Sequence, residues 1–243
     1  MLEWLIKFVH ENPFLGVFLI SVILSFILMI ITKFTTNQAR MKELKEKQKE
    51  CQQRMKECKD PQKVMEIQKE MMGYSGELMR HSFKPTLITI LPILFIFSWA
   101  NATITYMSIM PQEQFSVTAF LEKGTMGNLT IDVPSNITLI ENISQKEIPS
   151  NSQVQWNLKG DEGEYSIKFK YNENVVSKKV IITKEPKYAP VRENYKQSPI
   201  QSVLVGNKKL VVIPFLGGIG WLWSYIIFSI ILSLIWRKVL NVQ

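Results

Sequence analysis

Seven hydroxyl side chains lie within or at the edge of otherwise apolar runs. They are Ser21, Ser25 and Thr32 in the first run, Thr86 and Thr89 in the second, and Ser229 and Ser233 in the third. A hydroxyl in such surroundings can act as a nucleophile, which needs a base beside it. It can also present a hydrogen-bonding surface where water is scarce. No Asp, Glu, Lys, Arg or His lies inside the runs, and no G-x-S-x-G turn occurs. Nucleophilic chemistry is therefore excluded there, and so are ion relays, ion-coupled transport and intramembrane proteolysis, all of which need ionisable groups at depth. Two uses of the hydroxyls remain. They are glue between helices, because Ser and Thr pack closely and bond across interfaces, or they wall a shallow polar groove that lowers the cost of moving a polar peptide part-way into a bilayer. Cys51 and Cys58 stand seven residues apart on one predicted helix, about 10.5 Å and too far for a disulfide. His10 and His81 form no metal-ligand spacing with them, so no metal and no cofactor is expected.

The apolar runs are Phe14–Ile31, Thr86–Ile109 and Leu210–Trp236. Each is long enough to cross a hydrocarbon core of about 30 Å, which takes about 20 helical residues. Of 243 residues, this leaves no room for a large soluble enzyme. The net charge of +8 is unevenly placed: Lys33–Lys84 holds 13 Lys/Arg in 52 residues, whereas Pro111–Lys209 spreads 13 over 99 residues against 11 acids. By the positive-inside rule the first block and the C-terminus face the cytoplasm, and the N-terminus faces out. The first run is too long, and its flank too poor in basic residues, for a cleaved signal peptide. The expected organisation is an external tail (1–13), a first span (14–32), a cytoplasmic hairpin (33–85), a second span (86–109), an extracellular β domain (110–190), a connector (191–209), a third span (210–236) and a cytoplasmic tail (237–243). In that orientation Ser25, Thr32, Thr86, Thr89, Ser229 and Ser233 sit in the inner-leaflet halves of their spans, and Ser21 shares a face with Ser25 and Thr32. Trp99, Trp221, Trp223 and Trp236 fit interfacial belts, and Pro92 should kink the second span.

Met41, Leu44, Gln48, Cys51, Met55 and Cys58 are spaced 3, 4, 3, 4, 3, a heptad seam. Asp60-Pro61 then offers an N-cap and a first-turn proline. Val64, Ile67, Met71, Tyr74 and Leu78 repeat the seam. Two short helices joined by one tight break predict an antiparallel coiled coil. A second row, Met65, Met72 and Met79, lies beside the seam. It either fills the two-helix seam or meets varied apolar ligands such as a nascent chain. The basic coat, including Lys45, Lys49, Arg54 and Lys56, is either a solvated face or a contact for lipid headgroups or ribosomal RNA.

After Pro111 the pattern turns to period two. Candidate strands are Phe115–Leu121, Leu129–Val133, Thr138–Ile143, Val154–Leu158, Glu164–Tyr171 and Val175–Thr183. Asp161, Gly163 and Tyr165 form a D-x-G-x-Y sequence similar to the tyrosine corner of immunoglobulin-like sandwiches, with Trp156 as a core aromatic. An Ig-like sandwich of six or seven strands without a disulfide is expected. Asn101, Asn128, Asn136 and Asn142 head N-x-Ser/Thr sequons. The last three would be open to glycosylation on an external domain, whereas Asn101 lies against the second span. Glu185–Lys209 shows no clear period and reads as an extended connector.

The stretch from Thr32-Lys-Phe-Thr-Thr-Asn-Gln through Asp60-Pro61 to Met71-Met72 and Phe83-Lys84-Pro85, with a span on either side, resembles the YidC/Oxa/Alb insertase superfamily. It is closest in appearance to small archaeal members long listed as of unknown function. The likeness covers about the first 110 residues, with the last span as a third core helix. It implies a non-enzymatic insertase or chaperone in the plasma membrane. Such a protein holds client segments in a polar inner-leaflet groove, here Ser21, Ser25, Thr32, Lys33, Thr86, Thr89, Ser229 and Ser233. Its partners would be nascent membrane proteins, the ribosome or its nascent-chain complex, and membrane lipids, with no DNA and no small-molecule substrate. Two departures stand out. Bacterial members carry a cation inside the groove, in the first core helix, whereas here the nearest expected cation is Lys33 at the mouth. They also have a pair of helices where this chain has its β domain. The rival expectations are a surface receptor acting through that domain and a structural subunit of a larger membrane complex.

Overall fold

The apolar runs become helices over most of their length, where no glycine pair or turn signal interrupts the backbone ladder. The computed structural model describes residues 3–240. Its helices are α1 (Glu3–Glu11), α2 (Pro13–Thr35), α3 (Gln38–Glu57), α4 (Pro61–Thr103) and α5 (Trp221–Leu240). Among the described residues three stretches are long and apolar enough to cross a membrane: Pro13–Thr35, Pro85–Thr103 and Trp221–Leu240. At 1.5 Å per residue they measure about 28–35 Å.

Two of these spans differ from the sequence expectation. The second ends at Thr103 rather than Ile109. The third starts at Trp221 rather than Leu210, because Leu210–Gly220 forms a small β-turn structure. Pro214 opens a 3-10 turn there, and Gly217 and Gly218 both take positive φ (79° and 78°), a backbone that ends any helix. At its other end α5 continues past Trp236 and carries Arg237 and Lys238 in its last turn.

The chain divides into two compact units. One comprises the residues up to Gly16 with Ala100–Trp221, the other Val17–Trp99 with the residues from Leu222 onward.

In the second unit, Asn37 caps α3 by accepting from the Arg40 amide at 3.1 Å. The chain breaks at Cys58–Asp60, and Asp60 accepts from the Gln62 amide at 3.0 Å as α4 begins on Pro61. Both signals are the local chemistry that a helix start requires. Contacts between α3 and α4 pair Arg40 with Glu77 (2.8 and 2.9 Å), Gln48 with Ser75 (2.7 Å) and Arg54 with Glu70 (3.0 Å). Arg40, near the start of α3, thus meets Glu77, which lies further along α4 than the Glu70 that Arg54 meets. Met41, Leu44 and Cys51 of α3 and Ile67 of α4 are buried. α4 passes through Pro85 and Pro92 as one continuous helix.

In the first unit, eleven strands follow α4: β1 (Phe115–Leu121), β2 (Asn128–Asp132), β3 (Ile137–Leu139), β4 (Gln145–Glu147), β5 (Gln153–Gly160), β6 (Gly163–Tyr171), β7 (Asn174–Ile182), β8 (Arg192–Asn194), β9 (Ile200–Val205), β10 (Val211–Ile213) and β11 (Ile219–Gly220). One sheet runs β3-β5-β1-β9-β8, another β4-β2-β6-β7, and β10-β11 form a two-stranded ribbon. Alternating residues of the two larger sheets share one core, including Val117, Trp156, Leu158, Ile167 and Phe169. The Trp156 ring is buried and its indole N–H donates to the Ile143 carbonyl at 3.0 Å. The Tyr165 hydroxyl donates to the Asp161 carbonyl at 3.0 Å, four residues upstream, as a corner tyrosine does. The expected connector 191–209 instead supplies β8 and β9, and β9 lies inside its sheet, bonded to β1 on one side and β8 on the other. Residues 1–13, expected as a tail, include α1, whose Val9 is fully buried and whose His10 Nε2 lies 3.0 Å from the Thr103 carbonyl.

Candidate functional site

Helix periodicity alone would place Ser25, Leu28, Met29 and Thr32 on one face of α2, and Tyr225, Ser229, Ser233 and Arg237 on one face of α5. In the structure these residues, joined by Thr89 of α4, line a single cavity of about 210 Å³. That volume corresponds to roughly seven waters. Aromatic contacts hold the helices around it. Phe18 meets Phe228 edge-on at 5.4 Å, Phe26 meets Trp236 at 4.9 Å, and Phe97 meets Tyr225 edge-on at 5.7 Å.

Five of the seven expected hydroxyls are therefore brought together: Ser25, Thr32, Thr89, Ser229 and Ser233. The other two are not in the lining. Ser21 is fully buried and donates to the Val17 carbonyl at 2.8 Å. Thr86 is exposed and donates to the Ser82 carbonyl at 2.8 Å. Lys33, the expected cation, is exposed and lies outside the lining. The cation that does line the cavity is Arg237. Its signal was present in the sequence as the fourfold spacing 229, 233, 237. It was hidden by ending the third span at Trp236, one residue short.

The hydrogen bonds define what the cavity can do. Ser25 donates to the Val22 carbonyl (3.1 Å), Thr32 to Leu28 (2.9 Å), Thr89 to Thr86 (3.0 Å) and Ser233 to Ile230 (2.9 Å). Each proton is thus committed to the residue's own helix, a common habit of Ser and Thr in helices. A hydroxyl has two acceptor lone pairs besides its one donor, so these side chains face the cavity as acceptors. Ser25 already receives the Trp236 indole N–H at 3.1 Å. Ser229 Oγ is buried in the wall without a hydrogen bond of good geometry, though it interacts with the Tyr225 hydroxyl one turn back. The strong donor is Arg237, whose guanidinium carries five N–H groups and a fixed charge. The cavity thus takes N–H groups along most of its wall and a carbonyl or carboxylate at its Arg237 end. Among the described residues no cluster of His, Cys, Asp or Glu is arranged to hold a metal ion.

Burial differs sharply between the three spans. A third of the first span's most apolar window is buried, against 22% of the third and 6% of the second. Leu91, Leu94 and Phe95 of α4 are exposed accordingly. The same helix carries the second methionine row outward: Met65, Met72 and Met79 are 70%, 65% and 74% exposed, so they do not fill the α3–α4 seam. Of the expected hairpin cations, Lys49, Arg54 and Lys56 are exposed and Lys45 is half-buried. Arg54 is engaged with Glu70. Elsewhere on the pair, hydrogen bonds from Lys47 and then Arg40 hold the Glu43 carboxyl below its usual range. Asn128, Asn136 and Asn142 are exposed, whereas Asn101 accepts from the Thr105 hydroxyl at 3.3 Å in the last turn of α4.

Neither a curated protein nor a solved structure matches the chain significantly. A family model does, that of the EMC3/TMCO1-like integral membrane proteins, over residues 1–140. The match takes in α1, both helices of the α3–α4 pair, the first two spans and the strands up to β3. With more than half of its length matched, and three helices among the described residues long and apolar enough to cross a membrane, the chain belongs to the EMC3/TMCO1-like family of integral membrane proteins, within the insertase-related YidC/Oxa1/Alb3 superfamily.

Proposed function

We propose that this protein is a small archaeal insertase that works without covalent chemistry. The cavity walled by α2, α4 and α5 accepts a polar segment of a newly made membrane protein while the adjoining apolar helix moves into lipid. The observation that carries this reading is the convergence of five hydroxyls and Arg237 from three apolar helices on one cavity. In hydrocarbon each unsatisfied peptide N–H costs several kcal/mol, and a wall of acceptors reduces that cost at the depth where it is greatest. Arg237 would receive a client's carboxylate or carbonyl.

In this reading the basic block 33–85 and the C-terminus face the cytoplasm, the β domain faces out, and the membrane is the plasma membrane. α3 and the first half of α4 act as an antiparallel coiled coil, supported by their heptad seams and paired charges. Met65, Met72 and Met79, exposed along one row, receive the apolar nascent chain, and Lys45, Lys49, Arg54 and Lys56 recruit the ribosome or its nascent-chain complex. Family membership supports membrane-protein insertion at the coarse level.

The test is photo-crosslinking from Ser25 and, separately, Ser229 to a membrane-protein client on stalled ribosomes. Crosslinks that come and go with nascent-chain length are expected. Silence at both positions, with Met72 equally silent, overturns the reading. A second reading, a subunit of a larger membrane complex, is favoured by the sparse burial of the second span. A stoichiometric partner that survives gentle extraction and protects α4 from lipid-phase labelling would establish it.

A further inference from the structure

A second cavity, of about 520 Å³, lies in the other unit, and nothing in the groove reading uses it. Its walls come from one face of α1, the end of α4 and the segment 184–188 that follows β7. We infer that this cavity binds the phosphate-bearing headgroup of a membrane lipid in the leaflet beside the β domain.

Its level in the membrane follows from chain connectivity. Ala102 and Thr103, which line it, are the last two residues of the second span. α1 is joined to the first span through Asn12 alone. Both walls therefore stand where helices leave the hydrocarbon. Trp4, on α1, is 65% exposed, and an exposed indole at that level suits the headgroup boundary.

Charge and shape select the ligand. Lys7, Lys184 and Lys187 supply three ammonium groups against the carboxylates of Glu3 and Glu185. Lys187 already bonds Glu164 at 2.6 Å, and Lys7 stands 4.0 Å from Glu11. Lys184 is exposed and makes no side-chain ion pair among the described residues. Lys184 is thus the lysine of the lining placed to meet an anionic phosphodiester, with Lys7 and Lys187 shared between that ligand and their carboxylates. A lone phosphate ion would leave most of the volume empty, since 520 Å³ corresponds to roughly seventeen waters. Ile6 and Pro186 add an apolar part to the lining that a headgroup with its glycerol and upper acyl carbons would cover.

The walls are held in place before any ligand arrives. His10 Nε2 meets the Thr103 carbonyl at 3.0 Å. The Tyr188 hydroxyl donates to the Asn101 carbonyl at 2.9 Å and accepts the Thr105 amide at 3.1 Å. The Ser108 hydroxyl donates to the Glu185 carbonyl at 2.5 Å. A preformed site of this kind gives the β domain a fixed seat on the lipid surface.

This inference stands independently of the groove reading, so either can fail alone. The full-length protein is analysed by native mass spectrometry with dioleoylphosphatidylglycerol or dioleoylphosphatidylcholine. One tightly held anionic lipid per chain is expected, with the affinity falling roughly thirtyfold in K7E/K184E and unchanged in K159E, whose lysine is exposed on β5. Equal retention by the double variant and the wild type overturns the site. Displacement of the lipid by millimolar inorganic phosphate, which then binds alone, assigns the cavity to a free anion and overturns the lipid. A photo-crosslinking side chain at Ile6 in intact membranes gives the second readout. A single phospholipid adduct supports the proposal, and no adduct refutes it even if the charge-reversed variant fails to fold.

Discussion

Removing acceptors from the α2–α4–α5 cavity without changing its shape tests the insertase reading most directly. The triple variant T32V/T89V/S233A deletes three hydroxyls that line the cavity. Valine matches threonine in shape, and alanine at 233 leaves only a small added space. The hydroxyls being removed donate to Leu28, Thr86 and Ile230 carbonyls, which as helix carbonyls keep their backbone partners. Little folding stability is therefore at stake. What is lost is three acceptors for client N–H groups, each with a net value of about 0.5–1.5 kcal/mol. If the three contributions add, the barrier rises by about 1.5–4.5 kcal/mol, which is roughly 10- to 2,000-fold in rate. The assay is insertion into proteoliposomes, read as protease-protected client over time. A client with a polar tail should slow by that factor, whereas a client with an apolar helix and no polar tail should be nearly unaffected. Equal rates for variant and wild type on the polar-tailed client would refute the acceptor argument. Equal slowing of both clients would show damage to the fold rather than to the groove.

Other perturbations test the parts around the groove. Leu44 of α3 is fully buried, so Leu44→Ala should cost about 2–5 kcal/mol, read as a lower denaturation midpoint of the helical signal. Lys179 and Lys187 bond the Glu164 carboxylate and hold it down from 4.5 to about 2. A depressed carboxyl stabilises the fold above its unfolded value and loses that contribution as pH falls through the folded one. The β domain should therefore lose thermal stability between about pH 4.5 and pH 2, and Glu164→Gln should flatten the profile in that window. A Cβ on Gly16 would stand 2.7 Å from the Val9 Cα, a backbone atom that cannot step aside. Gly16→Ala should consequently displace α1, with faster proteolysis at Lys7 and loss of the lipid adduct at Ile6.

Much of the architecture was written in local patterns. The heptad spacings of 41–58 and 64–78 and the Asp60-Pro61 signal mark the two helices correctly, because capping and seam burial act over a few residues. Five of the six expected strands overlap those found nearly end to end. The sixth, expected over 138–143, shortens to Ile137–Leu139 as the chain turns at Asn142 with φ 51°. β9 escaped notice because Ile200–Val205 follows Pro199 in a stretch rich in Lys, Asn and Ser. Its strand character comes from partners on both sides, β1 and β8, which lie far away or have little pattern of their own.

The sequence by itself determined that the protein is a membrane protein with three candidate spans, a basic helical block and a β-rich domain. Apolar runs and period-two alternation commit a segment to bilayer or sheet whatever its neighbours are. It also placed hydroxyls in apolar surroundings, since composition alone makes them conspicuous. Only the tertiary structure decided which of them act together. Ser25, Thr32, Thr89, Ser229 and Ser233 face one cavity, while Ser21 and Thr86 do not. Helix rotation and end points are set by packing between helices rather than by the residues of any one. The same holds for Arg237, which reaches the groove because α5 runs one turn beyond its apolar stretch, and for the lysine-lined cavity of α1, whose walls lie about a hundred and about eighty residues apart along the chain.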